Sequence, residues 1–107
     1  MRHNYAKEKL SAAVHSMASD PGDIGTRLWH AFQIFHTLSE KDFGEEYKDD
    51  WNFIYNSLTV EEPSYDEKGN LTMGRVENTL KAISESQSIR IIERIVSLAS
   101  RLRNEAS

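Results

Sequence analysis

The sequence predicts an all-α fold: one single-domain bundle of four to five helices, with a long irregular loop at about residues 59–74 before the last two helices. Three observations carry that expectation. Apolar residues recur at the spacing of one helical face through most of the chain. Capping sequences built on Asp or Ser stand directly before several of these runs. The stretch that loses periodicity holds Pro63 and the turn sequence "DEKGN".

Each element follows from its own pattern. Residues 5–18 place Ala6, Leu10, Ala13, Val14 and Met17 on one side and Glu8, Lys9 and His15 on the other, which predicts an amphipathic first helix. In "ASDPGD", Asp20 is suited to cap the second helix, Pro21 to occupy its first position and Asp23 to complete a capping-box-like arrangement. That helix is expected to run to about Leu38. Ser39 and Asp42 in "SEKD" repeat the signal, and Gly44 can split off the first turn of the third segment. There Phe43, Tyr47, Trp51, Ile54 and Leu58 recur on one face to about Thr59.

Between Val60 and Gly74 the chain is expected to fold back in a hairpin-like turn, with Gly69 taking a positive φ angle. A loop of this length is either functional or a structural wrap, here one held down by Tyr65, Leu71 and Met73. Val76, Leu80 and Ile83 predict a short fourth helix, and the hydroxyl side chains of "SESQS" punctuate the chain after it. Ile91, Ile92, Ile95, Val96, Leu98, Ala99 and Leu102 then fill one half of a wheel opposite Arg90, Glu93, Arg94, Ser97 and Arg101. That persistence selects helix over a buried strand.

Composition narrows the function classes. At 107 residues a single domain spanning 1–107 can bury a core without staples. With 0 cysteines there are no disulfides, thiolate nucleophiles or sulfur-ligated zinc, which suits a reducing compartment, and a cytoplasmic location is the expectation. The polar start "MRHNYAKEKL" resembles no secretory segment and no window has a membrane-spanning apolar run, so the chain is expected to be unprocessed and to make no membrane contact. The net charge of -4 is unevenly spread: residues 40–67 hold ten acids against Lys41 and Lys48, whereas residues 68–107 carry a local +3. Such asymmetry either steers a charged partner or is neutralised inside the fold or a dimer.

The stretch "LWHAFQIFHTL" at 28–38 asks whether its aromatic and histidine side chains form a site or a core. Ile24, Leu28, Ala31, Phe32, Phe35 and Leu38 share one direction and read as core. His30 and His36 lie roughly 120° apart on that wheel, so they cannot readily share an ion within the helix. A metal would need ligands from elsewhere, such as His15 or the acids of the third segment, and the Glu-x-x-His pattern of bundle di-metal sites is missing from the sequence. No metal and no cofactor is expected. Trp29 and Ile34 widen the apolar arc to roughly 220°, which predicts either a central helix covered from two sides or a subunit interface. Trp51 and Tyr55 pose the same choice, so Trp29, Ile34, Trp51 and Tyr55 are the candidate protein interface.

Two charged groups complete the candidates. Glu45, Glu46, Asp49 and Asp50 form an acidic docking surface, a set of general acid/base carboxylates in which Asp50, turned toward the Phe43 and Ile54 side, is the best candidate, or a solvated helix start favoured by the helix dipole. Arg90, Arg94 and Arg101 line one strip of the last helix and suit phosphate or an acidic protein surface. Phosphate-cradling glycine loops, the G-x-S-x-G elbow and H-E-x-x-H do not occur. The expected function is therefore that of an accessory or regulatory protein acting by protein contacts, including self-association. A nucleic-acid-binding regulator using the C-terminal helix is the alternative, and a hydrolase or metal enzyme the third.

Overall fold

The computed structural model describes residues 3–105. The described residues form five helices: α1 (Asn4–Ser19), α2 (Ile24–Phe35), α3 (Glu45–Leu58), α4 (Arg75–Ala82) and α5 (Glu85–Arg103). A 3-10 turn (Glu40–Asp42) precedes α3, and a small hairpin of β1 (Ser64–Tyr65) and β2 (Leu71–Met73) stands between α3 and α4. The expected all-α class holds, with this hairpin as its minor β component.

Hydrogen bonding at the helix ends corrects three expected boundaries. Asp20 does not cap α2, because its carboxylate is already taken: Oδ1 accepts from the Gly22 N–H at 2.8 Å and Oδ2 lies 2.6 Å from His30 Nδ1. Asp23 caps instead, accepting from the Thr26 N–H at 2.8 Å, so Pro21 lies before the helix and not in its first turn. At the other end α2 stops at Phe35, where the Leu38 N–H turns back to the Phe35 carbonyl at 3.0 Å. The break that "SESQS" marks is confined to its first serine: the Ser84 hydroxyl accepts from the Gln87 N–H and the Gln87 side chain accepts from the Ser84 N–H, so α5 begins at Glu85 and takes in the rest of the stretch. The break at Gly44 is as expected, with Asp42 accepting from the Ser39 N–H across the 3-10 turn.

The core is made by facing stripes. α1 packs chiefly on α2 and α5, while α3 joins α5 and α4. Ala6 and Ala13 on the buried side of α1 leave room for close helix approach, and Leu10, Leu28, Phe35, Ile54, Ile95 and Leu98 are fully enclosed. α2 meets α1, α4 and α5, which accounts for its wide apolar arc through central placement. The molecule measures 51 × 29 × 19 Å. Its shortest extent is about two helix diameters, so every helix keeps an outward face.

The hairpin is not the wrap that its apolar residues suggest. Tyr65 and Leu71 are about 60% exposed, at 60% and 61%, because the strands project from the helices instead of lying on them. Asp66 organises the turn, its Oδ1 accepting from the Lys68 and Asn70 N–H groups, while Gly69 adopts φ 84°. Tyr65 pairs with Leu71 and Ser64 with Met73, so β2 carries one extra residue at a bulge.

Candidate functional site

Residues from four elements form a cleft of about 410 Å³ beneath the hairpin. α2 supplies Trp29 and Phe32, α3 supplies Tyr55, the hairpin supplies Tyr65 and Leu71, and the start of α4 supplies Val76. Trp29 and Phe32 stack with ring centroids 6.3 Å apart because they lie three residues apart on one helical face. As cross-strand partners, Tyr65 and Leu71 rise on the same side of the hairpin. The base of the hairpin is anchored: the buried Thr79 hydroxyl accepts from the Glu61 N–H at 3.0 Å, and Asn78 donates to the Glu62 carbonyl and to Ser64 Oγ. An apolar cleft with exposed aromatic walls thus rests on a fixed floor.

The four candidate interface residues separate. Trp29 and Tyr55 line this cleft, whereas Ile34 packs half-buried against the core. Trp51 is a correction. It is 3% exposed, sandwiched by Phe43 (centroids 5.2 Å, stacked) and Phe35 (5.8 Å, edge-on), so its indole is core and presents no surface.

The acidic group divides as well. Glu45 pairs with Lys48 at 2.8 Å, while Asp49 is exposed. Asp50 turns inward to Arg94 at 3.2 Å and to Arg101, which also donates to the Glu46 carbonyl. These pairs knit the acidic α3 to the basic α5, so part of the charge asymmetry is neutralised inside the fold. Arg94 also lies 4.2 Å over the Phe53 ring and Arg101 5.0 Å over the Tyr47 ring. Two members of the arginine strip are therefore committed to α3, and exposed Arg90 borders a polar hollow with Asp50 and Glu93.

Sequence reasoning passed over another cluster. His3, just before α1, places Nδ1 3.0 Å from Glu105 Oε1, just after α5, and the Tyr47 hydroxyl donates to Glu105 Oε2 at 2.7 Å. That bond raises the Tyr47 pKa above 10.0, since ionising the phenol would break it and set two anions together. No local period links residues 3, 47 and 105, so only the meeting of both chain ends on α3 reveals them.

Comparison with protein families, with curated proteins and with solved structures finds no match.

Proposed function

We propose that the protein is a binding module that holds an extended segment of a protein partner in the cleft beneath the hairpin. The observation that carries this reading is the pairing of an apolar floor with three outstanding walls, Tyr55 at 44%, Tyr65 at 60% and Leu71 at 61% exposed. Exposing such side chains together is unfavourable unless a partner covers them. Charge selects the partner's flanks. The hairpin and the residues flanking it carry Glu61, Glu62, Asp66, Glu67 and Glu77 against Lys68 and Arg75; Glu77 and Arg75 line the cleft, and Arg75 is bound to Glu62 at 3.0 Å. A segment with one or two bulky apolar residues between lysines or arginines fits that rim.

Panning a random peptide display library on the whole chain tests this. Enrichment of basic-flanked apolar motifs, lost in a Tyr65→Ser, Leu71→Ser variant of unchanged thermal midpoint, is the expected result. Equal enrichment on both proteins overturns it. So does a dimer in sedimentation that the same double substitution dissociates, because the occupant is then a second copy.

The nucleic-acid alternative has weaker support. Arg94 and Arg101 already bind Asp50, which leaves Arg90 as the strip's outward contact.

A further inference from the structure

Each chain end brings one metal-ligating side chain to the first turn of α3. The His3 ring nitrogen and the carboxylate oxygens of Glu46 and Glu105 lie within 4.8 Å of one another. Ligands of a tetrahedral zinc ion stand roughly 3.4 Å apart at its bond lengths, so convergence requires only small side-chain rotations. We propose that His3, Glu46 and Glu105 bind one divalent transition ion of the zinc class.

Several features favour this over a simple ion pair. The donor set of one imidazole and two carboxylates carries a net negative charge with the histidine neutral, which matches a dication. His3 and Glu105 are withdrawn from solvent, their side chains 10% and 17% exposed. Tyr47 holds Glu105 through its hydroxyl and meets the His3 ring edge-on at 5.4 Å, so one side chain orients two of the three ligands. Glu46 and Glu105 already have further partners. Binding is thus an exchange of contacts at a preassembled cluster. Water would complete the coordination, and the ion would fasten both ends of the chain to α3.

Titrating the metal-free full chain with Zn2+ in a calorimeter, alongside thermal melts, provides the test. One equivalent should bind and raise the melting temperature, with Mg2+ giving neither effect. Glu46→Gln, at an exposed position where folding is not at stake, should abolish the one-site isotherm. Tyr47→Phe, which removes the positioning hydroxyl, should weaken binding roughly 10- to 100-fold. His30→Ala removes the separate Asp20–His30 pair and should leave the zinc isotherm unchanged. The proposal fails if zinc does not bind, if Glu46→Gln binds as the natural chain does, or if His30→Ala is as damaging as Glu46→Gln.

Discussion

Thr79 shows how one atom positions a surface. It is fully buried on α4, and its hydroxyl oxygen receives the Glu61 N–H across 18 residues of chain. Replacing it with valine keeps the volume but removes the acceptor, leaving a partly buried amide unsatisfied. Thr79→Val should cost about 1–3 kcal/mol in denaturant unfolding and should speed amide exchange at Glu61 before it does so in α5. Unchanged stability would show that the hairpin base is held by other contacts. The threonine was not legible as an anchor, because a hydroxyl at helical spacing reads equally as surface.

At the scale of elements, helix starts were legible in kind but not always in place. The Ser39, Asp42 and Gly44 signals act where they stand, since each bond they make spans three or four residues. Asp20 failed as a cap because a residue ten positions away, His30, competes for its carboxylate. Ser84 opens α5 through a reciprocal pair with Gln87. Ser84→Ala should therefore destabilise the protein by about 1 kcal/mol, with fraying confined to the first turn of α5 in hydrogen exchange. Loss of the whole α4–α5 junction in that measurement would contradict the assignment. The hairpin illustrates the reverse limit: Gly69 and Asp66 announced the turn, but nothing local said which way Tyr65 and Leu71 would face.

Over the whole molecule, ionised groups at separate turns set the pH range of stability. Asp20, Asp23 and Asp66 all have pKa values below 3.8, chiefly because backbone N–H groups of Gly22, Thr26 and Asn70 bond to their carboxylates. A depressed folded pKa gives stability that is complete above the unfolded value and lost as pH falls through the folded one. Tyr47 and Lys48 are shifted upward, by the hydrogen bonds from Tyr47 to Glu105 and from Lys48 to Glu45. Their contribution is complete below 10.0 and 10.5 respectively and is lost as pH rises through the higher folded values. Melting temperature should therefore decline below about pH 4 and again above about pH 10. An Asp20→Asn, Asp66→Asn variant should be less stable at pH 7 and show a shallower acid limb; an acid limb of natural steepness would count against this account. No helix among the described residues is long and apolar enough to cross a membrane.

The sequence by itself determined the helices, their buried stripes and the turn at Gly69, because these depend on contacts a few residues apart and on apolar area that must leave water. Tertiary structure alone decided that Trp51 is core, that Asp50 binds Arg94 and Arg101, that the hairpin stands proud to wall a cleft, and that His3 meets Glu105. Those outcomes depend on where independently formed helices come to rest against one another. That docking is set by the packing of many side chains together, and no local spacing encodes it.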